Sequence, residues 1–151
     1  MAIPTSIELL IVTPDRLLVH EQVDELQIPG AEGYFGVLPG HMPFLAALAV
    51  GELWFRKGQT KTYLSIAFGF AEVLPERVTI LAQLAERAED IDVARAEAAR
   101  KRAEERISRS AQPEIDFDRA RIAQQKALVR IQVSSRVSVR SGALNRTGTQ
   151  G

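Results

Sequence analysis

Residues 27–45, QIPGAEGYFGVLPGHMPFL, decide the fold of this chain, since this short stretch holds four glycines and three prolines. Glycine adopts positive φ without steric cost, and proline fixes φ and lacks a backbone N–H. Such a segment cannot form a helix. It predicts short extended pieces joined by tight turns, with positive φ at Gly40 after Pro39. Its apolar side chains need a core, so the turns must fold back onto a packed sheet. We call residues 27–45 the corner.

The glycine spacing in the corner argues against a nucleotide site there. G-x-x-G-x-x-G is not the dinucleotide-binding fingerprint, and no Gly-Lys-Ser/Thr follows, as a phosphate loop requires. The pattern is typical of a turn-rich β structure.

The first 84 residues, which include the corner, are predicted to form short strands separated by turns. Several short strands without a helical period predict an antiparallel β-sandwich or barrel. The predicted strands are 7–13, 17–27, 44–50, 52–56, 60–66, 69–74 and 78–84.

The composition changes at Ala85, after which Ala, Glu and Arg dominate. Two helices are predicted, at 92–108 and 116–133, with a break at 110–113 that makes an antiparallel helical hairpin. The fold class is therefore α+β, with a sandwich domain at 1–85 and a hairpin at 86–133. The polar, glycine-bearing residues 134–151 are predicted to be a disordered tail.

Small residues occupy the seam between the predicted helices. An alanine seam gives weak attachment, because burying one methyl contributes only about 0.8 kcal/mol. The hairpin can therefore be mobile, so that a ligand or partner shifts its arrangement; a permanently docked hairpin is the alternative. The seam positions are Ala96, Ala99, Ala103, Ile107, Ala120, Ala123, Ala127 and Ile131.

The order IPG-x-EG-x-FGVLPGH-x-P at 28–43 resembles the signature of the epsilon subunit of rotary F-type ATP synthases, and the resemblance extends over 7–133. It implies a flattened β-sandwich in a non-catalytic central-stalk subunit. Such a rotor subunit couples proton-driven rotation of the c-subunit ring to the catalytic head, and inhibits ATP hydrolysis through its hairpin.

The resemblance also implies the partners. The edge of the sandwich that carries Glu32, Tyr34 and His41 approaches the c-ring, and another face packs on the gamma subunit. No apolar run approaches the roughly 20 residues of a membrane span, and we expect no signal or transit peptide. Membrane association is expected only through the complex, at the cytoplasmic face of the inner membrane.

Net charge is zero but unevenly distributed, with 11 acidic and 6 basic residues in 1–89 and 8 acidic and 13 basic in 90–151. The second part is therefore expected to meet an acidic surface. Nucleic acid is disfavoured, because glutamates interrupt the basic run and no aromatic residues interleave with it. The segment 103–108 resembles the one that contacts the acidic C-terminal region of the catalytic beta subunit, which points to Arg102, Arg106 and Ser108. A solvated helix face is the alternative.

The stretch Ile-Asp-Val-Ala-Arg-Ala at 91–96 resembles the ATP-binding motif of bacterial epsilon subunits. The implied site contains Asp92 and Arg95, with Lys126 and Arg130 from the second helix. Lys126 stands where arginine is usual, so a point charge replaces a planar fork. ATP would be a regulatory ligand, and no cofactor is required. Alternatively, Asp92 caps the helix and pairs with Arg95.

Catalysis by this chain alone is not expected. It has two histidines and no cysteine, which excludes a His/Cys metal site. Glu32 and His41 share the corner, but an acid and a histidine on turns do not by themselves indicate chemistry. The alternative function is a stand-alone module that senses ATP.

Overall fold

The computed structural model describes residues 2–109 and 114–145 of the 151-residue chain. Seven strands precede a short 3₁₀ turn and two helices, so the predicted α+β class is confirmed. The chain divides into two compact units, Met1–Arg87 and Ala88–Gly151, and the predicted boundary at 85/86 lies two residues earlier. Each unit is described separately below.

The first unit is one seven-stranded sheet in the order β2-β1-β7-β6-β5-β3-β4. Neighbouring strands are antiparallel except β1 and β7, which run parallel. The sheet folds over, because β2 and β5 contact each other although three strands separate them in this order. The strands are β1 (Ile7–Val12), β2 (Leu17–Val23), β3 (Glu25–Gly30), β4 (Gly33–Val37), β5 (Phe44–Lys57), β6 (Thr60–Val73) and β7 (Arg77–Arg87).

The strand predictions were wrong in two respects. The predicted strand 17–27 divides at Asp24, where the chain passes from β2 at one end of the sheet to β3 near the other. Conversely, the breaks predicted at Gly51 and at 67–68 do not exist, since β5 and β6 each continue for 14 residues. A glycine inside a strand marks a close approach of another group instead of an end. At Gly69, which has φ of 122°, an added Cβ would clash with the carbonyl oxygen of Leu81.

The core of this unit is mainly aliphatic. The buried residues alternate along the strands, as expected for sheets with one face turned inward. Phe55 is the one aromatic among the fully buried side chains of the described residues, with Phe35 packed partly against the same core. The corner therefore does fold back onto packed sheet.

The second unit contains α1 (Val93–Ser108) and α2 (Glu114–Asn145), which pack against each other. Four of the predicted seam alanines are buried, Ala96 and Ala103 on α1 and Ala120 and Ala127 on α2. The predicted break at 110–113 lies outside the described residues.

Helix α2 is longer than predicted, and the prediction of a disordered tail from residue 134 is wrong for the backbone of 134–145. The Ser134 and Ser135 hydroxyls donate to the carbonyls of Ile131 and Gln132, at 2.7 and 2.6 Å, so these serines bond back into the helix. No proline follows to stop it. Residues 146–151 lie outside the described part.

Candidate functional site

The tip of the corner is a tight hairpin between β3 and β4. Gly30 and Gly33 pair across a two-residue turn that holds Ala31 and Glu32. Gly33 has φ of 130°, and a Cβ on Gly30 would lie 2.8 Å from the Gly33 carbonyl oxygen, so both positions require glycine. The Ala31 N–H donates to the Ala47 carbonyl at 2.8 Å, which anchors the tip to β5. Glu32 is therefore held in an exposed position.

Tyr34 lies on β4 but is anchored to β5. Its phenolic oxygen accepts a hydrogen bond from the Glu52 backbone N–H at 3.1 Å. The ring passes close to Gly51, where an added Cβ would lie 2.5 Å from the phenolic oxygen and 2.6 Å from the Pro29 Cβ. Tyr34 is nevertheless 56% exposed, so its anchored ring faces solvent.

The turn after β4 confirms the predicted positive φ at Gly40, which is 84°. The Gly40 N–H donates to the Pro75 carbonyl at 2.8 Å, and the His41 N–H donates to the Leu38 carbonyl at 3.2 Å. An added Cβ at Gly40 would lie 2.9 Å from Ile3 Cγ2. The turn is therefore held by two backbone hydrogen bonds, and Ile3 leaves little room for a side chain at Gly40.

His41 is fixed by its own neighbours. Its Nδ1 donates to the Met42 carbonyl at 2.7 Å, and its ring lies 6.4 Å from that of Phe44. Phe44 in turn meets Phe35 edge to face at 5.4 Å. Among the described residues no hydrogen bond or ion pair joins His41 to Glu32, so the acid–histidine pair is not assembled.

The corner presents an exposed apolar surface. Met42 is 72% exposed, Leu45 69% and Leu38 59%. Between Glu32 and Glu52 the sequence carries no Asp, Glu, Lys or Arg. Exposed apolar surface without charge marks a protein interaction site more often than a solvated one.

The apolar surface continues onto one face of the sheet. Ala47, Phe70 and Leu81 pair directly across β5, β6 and β7, and Leu45 shares their face two residues from Ala47. Phe70 and Leu81 are both more than half exposed. This row was not predicted from the sequence. The alternation of Phe70 against the buried Ala71 and Val73 was the available signal.

A charged cluster lies at another part of the sheet. Glu8 on β1 bonds His20 Nε2 at 3.0 Å and Arg77 NH2 at 3.1 Å. These bonds, that to His20 first and that to Arg77 second, hold the pKa of Glu8 below its ordinary value of 4.5. The cluster joins β2, β1 and β7 on the surface.

Two residues of the predicted ATP site, Asp92 and Arg95, lie at the start of α1, and the other two, Lys126 and Arg130, lie near the middle of α2. Asp92 caps α1, and its Oδ1 accepts the Arg95 backbone N–H at 3.0 Å. The capping interpretation is therefore confirmed, although no ion pair joins Asp92 to Arg95 within the described residues. Lys126 and Arg130 are half-buried, and neither is free of other interactions.

The predicted beta-subunit contact lies on the exposed side of α1. Arg102 and Arg106 are exposed one turn apart, and neither forms an ion pair among the described residues. Arg100 differs, since it bonds Glu97 at 2.9 Å and lies 3.8 Å from Glu104. The Ser108 hydroxyl donates to the Glu105 carbonyl at 2.9 Å. Arg102 and Arg106 thus form an uncompensated basic pair.

Residues 6–88 match the beta-sandwich domain of the ATP synthase delta/epsilon chain, and residues 89–135 match its long alpha-helix domain. The chain belongs to the ATP synthase delta/epsilon chain family. These two matches follow the division of the structure into a strand unit and a helical unit.

Relatives within the delta/epsilon chain family cover most of this sequence. The ATP synthase epsilon chain of Syntrophobacter fumaroxidans is 51% identical over 131 residues, which span 87% of this chain and 97% of the relative. That of Nitratidesulfovibrio vulgaris is 49% identical over 128 residues, which span 85% of this chain and 95% of the relative. The family domains end at residue 135, so α2 continues ten residues beyond them.

Chains in two solved ATP synthase structures share the fold. A chain of the Euglena gracilis mitochondrial ATP synthase, from a cryo-EM structure of OSCP/F1/c-ring, has a TM-score of 0.76 and 27% identity, covering 92% of this chain and 84% of that one. A chain of the Tetrahymena thermophila mitochondrial ATP synthase central stalk/c-ring has a TM-score of 0.58 and covers 85% of this chain and 96% of that one. At 12% identity, the second likeness concerns the fold alone.

Neither helix, within the described residues, combines the length and apolar composition that crossing a bilayer demands. The same residues contain no cluster of three or more histidine, aspartate or glutamate side chains placed to hold a metal ion.

Proposed function

We propose that this chain is a non-catalytic rotor subunit in the central stalk of a bacterial F-type ATP synthase. It couples rotation of the proton-driven c-ring to the catalytic head and restrains ATP hydrolysis through its hairpin. The observation that carries this proposal is the exposed apolar surface of the corner, which carries no charged residue after Glu32, in a chain that matches the delta/epsilon family along both domains. The subunit then lies peripherally at the cytoplasmic face of the inner membrane, held there only by the complex.

The sandwich supplies the rotor contacts. The corner, with Glu32, Tyr34 and His41, meets the c-ring, because its backbone is held by the Ala47 and Pro75 carbonyls and its apolar side chains remain exposed. The row of Ala47, Phe70 and Leu81 packs on the gamma subunit. An apolar row of this kind, open to solvent in the isolated chain, gains stability when a partner covers it.

The hairpin restrains ATP hydrolysis, and we call this inhibitory action the brake. In its extended arrangement, α1 brings Arg102, Arg106 and Ser108 to an acidic surface of the beta subunit. Two arginines one turn apart, with no ion-pair partner among the described residues, present their charge to such a surface. The alanine seam makes release of the helices from each other inexpensive in free energy.

ATP is proposed as a regulatory ligand of the folded hairpin, held by Asp92, Arg95, Lys126 and Arg130. Three basic groups and one acid leave local positive charge for a polyphosphate. A ligand that binds only the folded arrangement stabilises it and so keeps the brake off.

Recovery from native membranes tests the assignment. A tagged chain should co-purify with alpha, beta, gamma and c subunits of the ATP synthase. Recovery as an isolated monomer that binds ATP would instead support a stand-alone sensing module.

The brake has its own test in the assembled enzyme. The double variant Arg102→Gln/Arg106→Gln should raise ATP hydrolysis, and a chain that ends after Arg87 should raise it at least as much. That end point keeps β7 whole and retains the bond from Arg87 to the Leu18 carbonyl. Arg100→Gln is the matched control, because Arg100 is already paired with Glu97. Unchanged hydrolysis in the truncated complex would refute the brake.

A further inference from the structure

The two edge strands of the sheet, β2 and β4, are protected to different degrees. An edge strand exposes unpaired N–H and C=O groups, and natural proteins usually blunt it with charge or a bulge. Strand β2 has both devices. It carries His20 and Glu21, and its pairing with β1 shifts register between Ile11 and Val12.

Strand β4 has neither device. Its sequence, Gly-Tyr-Phe-Gly-Val, contains no charged residue, and its pairing with β3 is regular over all five positions. Strand β4 is the last strand in the order of the sheet, so no strand among the described residues pairs with its outer side. A Cβ added at Gly33 or Gly36 would meet no atom within 4 Å, so the sheet face is also open at these positions. By the usual rules for soluble proteins, such an edge requires a cover.

The pairing with β3 shows which backbone groups of β4 are unused. In an antiparallel pair, residues that exchange hydrogen bonds alternate with residues that do not. Tyr34 pairs with Pro29, which has no N–H to exchange, and Gly36 lies two residues further along the strand. The N–H and C=O groups of Tyr34 and Gly36 therefore point away from β3, toward the open edge.

We propose that the open edge of β4 receives an extended segment of another subunit as an added strand. The segment is uncharged and rich in apolar residues, because the corner carries no Asp, Glu, Lys or Arg after Glu32 and exposes Leu38 and Met42 beside β4. Main-chain hydrogen bonds to Tyr34 and Gly36 give affinity, and the neighbouring apolar side chains give selectivity. The identity of the source as an ATP synthase subunit rests on the proposed function.

Hydrogen–deuterium exchange, resolved to single residues by mass spectrometry, tests the added strand in the complete complex recovered from membranes. The amides of Tyr34 and Gly36 should exchange freely in the isolated chain and at least tenfold more slowly in the complex. Those of Phe35 and Val37 should be protected in both. A chain that assembles without slower exchange at Tyr34 and Gly36 would overturn the added strand and leave the proposed function standing. A chain that does not assemble would overturn both.

Three substitutions at one position complete the test. Gly36→Pro removes the outward N–H, and Gly36→Lys places a charge on the edge; each should reduce recovery in the complex at least tenfold. Gly36→Ala is the matched control and should assemble normally. Equal recovery of all three variants would contradict the proposal. Protection of the same amides in the isolated chain at high concentration would identify a second copy as the occupant, and so would overturn the assignment to another subunit.

Discussion

The Tyr34 hydroxyl and the Glu52 backbone N–H meet at 3.1 Å across β3, which lies between their strands. Strands β4 and β5 are not hydrogen-bonded neighbours, so this side chain ties the outermost strand to the third strand from that edge. The contact depends on Gly51, over which the phenolic group lies. The position of the corner is thus set by a residue outside it.

Gly51→Ala should displace Tyr34 and destabilise the sandwich. The added Cβ would approach both the Tyr34 oxygen and Pro29 Cβ, and overpacking of this kind costs about 1–3 kcal/mol. Urea unfolding measures the change. Gly36→Ala is the control, because its Cβ enters open space. Equal stability of the two variants would show that the Tyr34 ring moves away without cost.

Gly40→Val should weaken assembly with the c-ring and lower stability. A β-branched residue at φ of 84° costs about 1–3 kcal/mol, and the side chain would also approach Ile3. Thermal unfolding and recovery in the complex are the measurements. In an Ile3→Ala background, Gly40→Val no longer meets the Ile3 side chain. The loss of stability that remains is then due to the backbone conformation alone. Complete rescue by Ile3→Ala would contradict a requirement for positive φ.

Lys126→Arg should tighten ATP binding, because a planar guanidinium can bond a phosphate through two N–H groups. Arg95→Ala should weaken it. A ligand at a hundredfold excess over Kd stabilises the folded hairpin by about 2.7 kcal/mol. Titration calorimetry on the isolated chain gives Kd, with Arg121→Ala on exposed α2 surface as the control. If neither the natural chain nor Lys126→Arg gives a heat of binding at millimolar ATP, the ATP site is contradicted. Asp92 then serves only as a helix cap.

Glu8→Gln should make the sandwich less sensitive to acid. The pKa of Glu8 is lowered in the folded state by its bonds to His20 and Arg77, so the unfolded chain binds more protons between that lowered pKa and 4.5. The contribution of Glu8 to stability is therefore present above pH 4.5 and is lost as pH falls through the lowered pKa. Thermal melts between pH 6 and pH 3 should show a smaller decline in Tm for Glu8→Gln than for the natural chain.

The double variant His20→Gln/Arg77→Gln is the control for this pH dependence. It keeps the Glu8 carboxyl but removes both partners, and should behave like Glu8→Gln on acidification. Identical declines in the natural chain and in Glu8→Gln would show that the cluster does not contribute.

The sequence predicted local features well. The Asp92 cap and the positive φ at Gly40 each depend on a few consecutive residues, and both are confirmed. The order of strands and helices follows from hydrophobic period, which is also local. Strand ends were less predictable, because Gly51 serves a contact with Tyr34 and does not end β5.

Features that join distant parts of the chain left no local signal. The parallel pairing of β1 with β7 joins Glu8 to Arg77, and the Tyr34–Glu52 bond depends on how β3 lies between two strands. The basic pair on α1, Arg102 and Arg106, could be predicted only in part. Its residues were predicted, but only the structure shows that Arg100 is paired, whereas Arg102 has no ion-pair partner in the described part of the chain.

The position of β1 determines when this sandwich can form during synthesis. Strand β1 is made first, yet one of its two neighbours, β7, begins at Arg77, so that side of β1 stays unpaired until most of the domain has left the ribosome. Its sequence, Ile-Glu-Leu-Leu-Ile-Val, is mostly apolar and has high β-propensity. Until β7 has been synthesised, β1 can therefore pair with strands of other nascent chains. Contacts of such sequence separation also slow folding, to milliseconds or longer. Exposure of β1 to the nascent-chain chaperones should therefore end only when β7 emerges.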